Sequence, residues 1–121
     1  MRRREFLLAG GAAWPVFAPA QPILLGYDTY SIRDFRWKAP QLLDYAASLK
    51  LDAIQISNLG EYESLEPAYL AKIREQATRL GIIIEAGIGC SCTESKHYNP
   101  KLGAPVDYLR QGMRVARQVG A

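Results

Sequence analysis

Long hydrophobic runs, histidine and cysteine are all scarce in this sequence of 121 residues. No stretch approaches the roughly 18 to 20 uncharged apolar residues that a membrane-spanning helix needs. One histidine, His97, and two cysteines, Cys90 and Cys92, offer few ligands for a closed zinc site. The remaining composition, 49% hydrophobic and 22% charged, is typical of a single globular domain.

An excess of charge of one sign is also missing beyond the first twenty residues. The whole chain has a net charge of +3, but three arginines and Glu5 lie in 1–20, which leaves 12 basic and 11 acidic residues in 21–121. The basic side chains of the predicted helices alternate with acidic ones, which is typical of a solvated face. Nucleic acid is therefore not an expected partner.

The first twenty residues have the pattern of an export signal. Arg2, Arg3 and Arg4 precede a weakly hydrophobic stretch, and Ala18-Pro19-Ala20 fits an A-x-A cleavage site. The stretch "RREFL" resembles a twin-arginine signal. We expect residues 1–20 to be a signal peptide and the mature protein to be periplasmic or extracellular, without stable membrane contact after cleavage. A cytoplasmic N-terminus and an uncleaved anchor are the alternatives.

Predicted strands alternate with predicted helices from residue 22 onward. Apolar, β-branched segments predict buried strands, and prolines predict helix starts, each followed by an apolar stripe at helical spacing. The predicted strands are 23–32, 52–57 and 81–89, and helices are expected to begin at Pro40, Pro67 and Pro105. The predicted stripes are Leu42, Leu43, Ala46, Ala47 and Leu49; Leu70, Ile73, Ala77 and Leu80; and Val106, Leu109, Met113, Ala116 and Val119.

Three joints between elements share one sequence form. "AASLK" (46–50), "ATRLG" (77–81) and "ARQVG" (116–120) each read Ala-x-x-aliphatic-(Lys or Gly). This internal repeat, at a spacing of about 30 to 40 residues, predicts that a helix gives way to a strand at each joint. The third copy predicts a further strand from position 122 and a truncated domain.

Alternating strands and helices predict an α/β fold with a parallel sheet. The candidates are an open doubly wound sheet and a (β/α)8 barrel of about 250 residues. The G-x-G-x-x-G turn of nucleotide-binding doubly wound folds is missing after the first strand, and "GIGCS" (87–91) has only two glycines of that pattern.

Three phrases carry a family resemblance. "LGYDTYSIR" (25–33), "LDAIQIS" (51–57) and "GIIIEAGIG" (81–89), each separated by one helix, resemble the opening units of xylose isomerase-like TIM barrels, which include sugar phosphate isomerases and epimerases. The resemblance implies that residues 21–121 form about the first three βα units of a partial (β/α)8 barrel, the N-terminal part of such a protein.

The resemblance also implies an activity and a cofactor. Proteins of this group bind a divalent metal (Mn²⁺, Mg²⁺, Co²⁺ or Zn²⁺) through Glu, Asp and His residues, largely from later strands, and act on a sugar or polyol. No metal ligand or catalytic residue can be carried over to this chain, so we expect it to be inactive by itself. The alternatives are a non-catalytic module that associates through its open sheet edges and, disfavoured by charge and export, an apurinic endonuclease-type phosphodiesterase.

Strand alternation selects candidate substrate-binding residues at the predicted barrel mouth. If Leu25, Ile54, Ile56, Ile82 and Ile84 face the helices, then Asp28, Tyr30, Gln55, Ser57 and Glu85 face the interior. A one-residue slip of the first strand would instead select Tyr27, Thr29 and Ser31. An interior carboxylate is costly unless paired, so Glu85 and Asp28 are expected either to contact substrate or to form a salt bridge.

Two loops contribute further candidates. His97, in the polar segment "ESKHYNP", is either a substrate contact or a solvated loop residue. Trp37 either covers substrate carbons or packs against the fold. Cys90, Cys92 and His97 have a spacing too loose for a closed zinc site, and the two cysteines are expected to be ordinary thiols unless one pairs with a cysteine elsewhere.

Overall fold

The computed structural model describes residues 21–121 as an α/β unit with three strands and three α-helices. The predicted export signal lies outside the described residues. The strands are β1 (Gly26–Asp28), β2 (Ala53–Ile56) and β3 (Ile83–Ala86), and the helices are α1 (Ala39–Ser48), α2 (Pro67–Leu80) and α3 (Pro105–Val119). Three short 3-10 helices lie in the loops, at Thr29–Phe35, Leu59–Glu61 and Pro100–Leu102. Within the described range, no helix is long and apolar enough to cross a membrane.

The sheet is parallel throughout, in the order β1-β2-β3. The prediction of a buried strand over 23–32 is wrong in length and burial. Pairing starts at Gly26, and the residues before it, including Leu25, which is 64% exposed, do not face the helices. It ends at Asp28 because the Asp28 carboxylate accepts a hydrogen bond from Tyr30 N (2.9 Å), which turns the chain into a 3-10 helix.

Alternation in the strands separates a covered face from an open one, as predicted. Ile54, Ile56 and Ile84 are at most 2% exposed and pack with the helices, whereas Gln55 and Glu85 point away from them and are exposed. The β1 register places Gly26 and Asp28 on the same side of the sheet as Gln55. The alternative register of the first strand, which would have turned Tyr27 to that side, is therefore wrong. We call the exposed side of the sheet the open face.

The helix starts at Pro67 and Pro105 are confirmed, and α1 begins one residue before Pro40. The stripe of α2 is confirmed for Leu70, Ile73 and Ala77, which are buried. In α1, Leu42, Leu43 and Ala46 are buried, but Leu49 is half exposed.

The predicted buried stripe of α3 is confirmed at Val119 but is wrong for Val106, Leu109 and Met113. The structure buries Tyr108, Gly112, Val115 and Val119, and leaves Val106, Leu109 and Met113 at least half exposed. The cause is the close approach of α3 to the segment after β3, where a Cβ on Gly112 would lie 2.0 Å from Ile88 Cγ2. Helix α3 therefore has two apolar stripes. The stripe that contains Gly112 packs inward, because a glycine there allows the helix to approach Ile88 this closely.

The three repeated joints have the same backbone conformation. Lys50, Gly81 and Gly120 all have positive φ, at 56°, 70° and 78°. In each joint the amide of the next residue donates a hydrogen bond to the carbonyl of the repeat's first alanine: Leu51 to Ala46 (3.1 Å), Ile82 to Ala77 (2.9 Å) and Ala121 to Ala116 (2.9 Å). This is the Schellman arrangement that ends helices, and it confirms the repeat as a structural one.

The first joint contains a lysine where the other two have glycine, and this predicts a stabilising substitution. A residue with a Cβ strains at positive φ, so Lys50→Gly is expected to raise the free energy of unfolding by about 1 kcal/mol. Gly81→Ala, at the equivalent position with no atom within 4 Å of the added Cβ, should lower it by a similar amount. Urea unfolding followed by circular dichroism measures both free energies. Changes of the same sign for Lys50→Gly and Gly81→Ala would contradict the prediction.

Candidate functional site

The carboxyl ends of all three strands lie at one edge of the sheet, and the loops that follow them enclose two cavities there. The first, which we call the mouth cavity, has a volume of about 480 Å³, within the range of small-molecule sites. The second, which we call the basic cavity, has a volume of about 490 Å³ and lies between the loops after β1 and β2. A shallower depression of about 320 Å³ lies on the open face.

The mouth cavity combines residues from the loops after all three strands. Tyr30 comes from the first, Ser57 from the second and His97 from the third, so three sequence-predicted residues line one space. Its other lining residues are Asn58, Gly60, Gly89, Cys90, Asn99, Leu102 and Tyr108. Hydroxyl, amide and imidazole groups beside tyrosine rings can bind a small neutral polar molecule.

Three other predicted residues form a row on the open face. Asp28 pairs in register with Gln55, and Gln55 with Glu85, so their side chains are neighbours across β1, β2 and β3. All three are exposed and line the open-face depression. Glu85 lies on the open face, the side that strand alternation predicts for it. It is exposed because no other layer covers this face within residues 21–121, it forms no ion pair with a described residue, and its contact with substrate stays a prediction.

Asp28 connects the open face with the mouth cavity. Its carboxylate accepts a hydrogen bond from Ser57 Oγ and another from Tyr30 N (2.9 Å). Tyr30 N also lies 3.0 Å from Ser57 Oγ. The carboxyl ends of β1 and β2 are therefore held together by polar side chains, and the orientation of Ser57 in the mouth cavity is fixed by Asp28.

A half-buried carboxylate, Glu61, holds the same strand ends from the opposite side. Its Oε2 accepts hydrogen bonds from the Thr29 hydroxyl (2.5 Å) and from Ser57 N (3.1 Å), and its Oε1 accepts one from Asn58 Nδ2 (3.2 Å). Thr29 is only 1% exposed, and Glu61 is the nearer of two acceptors for its hydroxyl, the other being Ser57 Oγ at 3.2 Å. We call Thr29, Ser57, Asn58 and Glu61 the Glu61 cluster.

Burial raises the pKa of Glu61 above its usual 4.5, and the nearby Asp28 carboxylate adds to the increase. The hydrogen bonds from Thr29, Ser57 and Asn58 act in the opposite direction because they stabilise the ionised form. Desolvation is the largest of these effects, so folding disfavours the charged form of Glu61.

The loop after β3 contributes both Cys90 and His97 to the wall of the mouth cavity. Hydrogen bonds with Ser95 and with the Cys92 backbone lower the pKa of the Cys90 thiol. Both cysteines are free in the described part of the chain. Burial raises the pKa of Tyr108, which lies beneath the cavity and is 3% exposed.

Trp37 lies apart from the mouth cavity. It stacks on Phe35 with ring centroids 4.7 Å apart, meets Tyr45 edge to face at 5.3 Å, and contacts the buried core. Its remaining surface lines the basic cavity. The structure therefore gives Trp37 a packing role, and its expected contact with a sugar stays a prediction.

Metal ligands do not converge among the described residues. Asp28, Glu61 and Glu85 all lie near the carboxyl edge, but no group of three or more His, Cys, Asp or Glu side chains in residues 21–121 could hold a metal ion. These residues do not fit the divalent metal that the resemblance implies, so we derive no step through a metal. The metal stays a prediction about the family.

Sequence reasoning missed Glu61, Asn58 and Tyr108. Glu61 stands in the polar loop "NLGEYESLE", where a carboxylate is unremarkable. The available signal was the spacing Asn58-x-x-Glu61, which resembles a capping box at the start of a short helix. Tyr108 lies outside the apolar stripe predicted for α3, although the structure buries it.

Comparison of this chain with protein-family models, with curated proteins and with solved structures gives no match. The arrangement of residues at the carboxyl edge of the sheet is therefore what indicates the function of this chain.

Proposed function

We propose that this chain forms three βα units of a (β/α)8 barrel of the xylose isomerase-like type and contributes one side of a site for a sugar or similar polyol. The observation that carries the proposal is the mouth cavity, in which Tyr30, Ser57 and His97 come together from three successive strand ends. Catalytic groups of such barrels lie at this edge.

The side chains on the open face favour a (β/α)8 barrel rather than an open doubly wound sheet. A second helix layer would require apolar residues there, but the strands present mainly small or polar side chains to it: Gly26, Asp28, Ala53, Gln55 and Glu85, with Ile83 the exception. Polar side chains near strand ends fit a barrel mouth that holds a polyol.

Chemically, the described residues bind and orient a substrate. Ser57 and Asn58 offer a hydroxyl and an amide to sugar hydroxyl groups, and the exposed ring of Tyr30 offers an apolar surface to sugar carbons. In the proposed isomerase or epimerase, the proton-transfer groups and the divalent metal are supplied by βα units other than these three.

The exposed apolar residues support assembly with further βα units. Val106, Leu109 and Met113 form a stripe on α3, and Ile83 is 49% exposed on β3, the edge strand next to it. A strand and helix added at that edge would cover both. The proposed activity therefore belongs to the completed barrel.

Sugar binding tests the proposal without requiring catalysis. We expect neutral monosaccharides to shift the amide resonances of Tyr30, Gly89 and His97 in ¹H–¹⁵N spectra of the chain. His97→Ala should weaken this binding about fivefold, the effect of one lost hydrogen bond. Lys96→Ala is the matched control, because Lys96 is an exposed neighbour in the same loop that does not line the cavity.

Two results would contradict the proposal. Shifts scattered over the surface, or an equal loss in the His97 and Lys96 variants, would show that the mouth cavity does not select a sugar. A neutral molecule of similar size without vicinal hydroxyl groups should cause no shifts at these three residues.

A further inference from the structure

The basic cavity has a charge pattern that the proposed sugar site does not use. Arg33, Arg36 and Lys38 line it together with a single acidic residue, Glu61. Its cationic residues come from the loop between β1 and α1, and Asn58, Gly60 and Glu61 come from the loop between β2 and α2.

The three cations have no acidic partner. Within residues 21–121 the single ion pair joins Arg110 and Asp107 on α3. Glu61 directs its oxygens to the donors of the Glu61 cluster and forms no salt bridge with the three cations. Like charges that gather around a cavity repel one another unless an anion lies between them.

The cations also keep free donors. Lys38 Nζ donates one hydrogen bond, to Gly60 O (2.5 Å), which leaves two N–H groups. Arg33 uses Nη1 for Tyr30 O (2.9 Å) and stacks its guanidinium 4.3 Å from the centre of the Tyr30 ring. The side chain of Arg36 has no hydrogen-bond partner among the described residues, and all its N–H groups are available.

We infer that the basic cavity binds a small oxyanion of the phosphate class. Two guanidinium groups and an ammonium group around one space match the several acceptor oxygens and the double charge of a phosphate. The amino end of α1, at which Lys38 is the capping residue, adds the positive end of a helix dipole. Glu61 lowers the net charge of the lining from +3 to +2, still opposite in sign to the ligand.

The phosphate has two possible sources. The basic cavity and the mouth cavity share Asn58 and Gly60, so a phosphorylated sugar could place its ring in one and its phosphoryl group in the other. Free inorganic phosphate would occupy the basic cavity alone. The first source rests on the proposed function, whereas the second does not.

Titration with inorganic phosphate at constant ionic strength, followed by ¹H–¹⁵N spectra and Trp37 fluorescence, tests the inference. We expect saturable shifts at Arg36, Trp37, Lys38 and Gly60. Arg36→Gly should weaken binding at least about fivefold, and Lys38→Gln should do the same. An unchanged affinity in both variants, or no saturable shift in the original chain, would overturn the inference.

Lys50→Gly is a closely matched control for Arg36→Gly. Arg36 and Lys50 both have φ of 56°, so each change removes one positive charge and relieves the same backbone strain. Both variants are expected to melt at a higher temperature than the original chain, but only Arg36→Gly should lose phosphate affinity. Equal losses would show a general effect of net charge and would overturn the inference.

A monosaccharide phosphate distinguishes the two sources. If it binds more tightly than phosphate and also shifts Gly89 and His97, the anion is part of the substrate. If it matches phosphate and leaves those residues unshifted, the cavity takes a free anion. Neutral sugar binding without phosphate binding would reject this inference alone, and phosphate binding without sugar binding would reject the proposed function alone.

Discussion

Replacing Gly87 with alanine is expected to lower the free energy of unfolding by about 3 kcal/mol and to disrupt the mouth cavity. A Cβ at this position would lie 2.5 Å from Ser57 O and 2.9 Å from Ile56 O. Both neighbours are backbone atoms of the adjacent strand end, which cannot rotate away, so the cost should reach the upper end of the usual 1–3 kcal/mol for overpacking.

The same substitution should affect ligand binding because of where the close contact lies. Gly87 N donates to Ile56 O (2.7 Å) and Gly89 N donates to Ser57 O (2.9 Å), which extends the pairing of β2 and β3 up to the cavity. Forcing these segments apart moves Ser57 away from its hydrogen-bond partners Asp28, Thr29 and Glu61. We therefore expect sugar-induced shifts at Gly89 and His97 to be lost even below the denaturation temperature.

Gly60→Ala is the control for this prediction. An added Cβ there would meet only Asn58 Oδ1, at 2.9 Å, the far end of a side chain that can rotate. Urea unfolding should therefore show a much smaller loss for Gly60→Ala than for Gly87→Ala. A loss for Gly87→Ala as small as that for Gly60→Ala would mean that the strand ends can separate at little cost, and it would contradict this prediction.

The strand and helix plan was predictable where the local pattern and the tertiary contacts agree. In β2, Gln55 stands between the buried Ile54 and Ile56, and in β3, Glu85 follows the buried Ile84, so the polar residues indicate which side faces away from the helices. In β1 the local pattern and the tertiary structure disagree. Residues 23–32 are apolar enough for a ten-residue strand, but the strand ends at Asp28 because its carboxylate accepts a hydrogen bond from Tyr30 N.

The face of α3 could not be read from periodicity because the helix has two apolar stripes. The deciding contact, Gly112 against Ile88, joins residues 24 positions apart and concerns a residue without a side chain. Hydrophobicity scores give a glycine no weight, although it is the residue that lets the helix approach.

The candidate site was partly predictable for a simple geometric reason. Residues that directly follow parallel strands must lie at one edge, so Tyr30 and Ser57 were found from position alone. Glu61 was not, since its role depends on a short 3-10 helix that returns its carboxylate to Ser57 N. Asp28 is more informative in the structure than in the sequence, because its hydrogen bond with Ser57 connects the two strand ends.

Replacing Glu61 with alanine is expected to lower the free energy of unfolding by about 2–3 kcal/mol. The Thr29 hydroxyl, Ser57 N and Asn58 Nδ2 would all lose an acceptor, and a buried donor without a partner costs about 1–3 kcal/mol. Ser57 N retains Thr29 Oγ1 at 2.9 Å, which keeps the total below the sum of three losses. Glu63→Ala, an exposed neighbour, should have little effect.

Glu61→Gln separates the charge of this residue from its hydrogen bonds. Because the pKa of Glu61 is raised in the folded protein, the folded state holds its proton more tightly than the unfolded state. The stabilising contribution is therefore complete below the usual value of 4.5 and is lost as the pH rises through the folded pKa. Glutamine has no such titration, so the stability of the original chain relative to Glu61→Gln should fall as the pH rises above about 4.5.

Urea unfolding of both chains between about pH 4 and pH 8, at constant ionic strength, measures this difference. Every other titrating group is common to the two chains and cancels to first order in the comparison. A relative stability that rises with pH would mean that the three hydrogen-bond donors outweigh desolvation and that folding favours the charged form. Because Glu61 lowers the charge of the basic cavity's lining from +3 to +2, phosphate binding at neutral pH should strengthen in Glu61→Gln with either sign of the pH dependence.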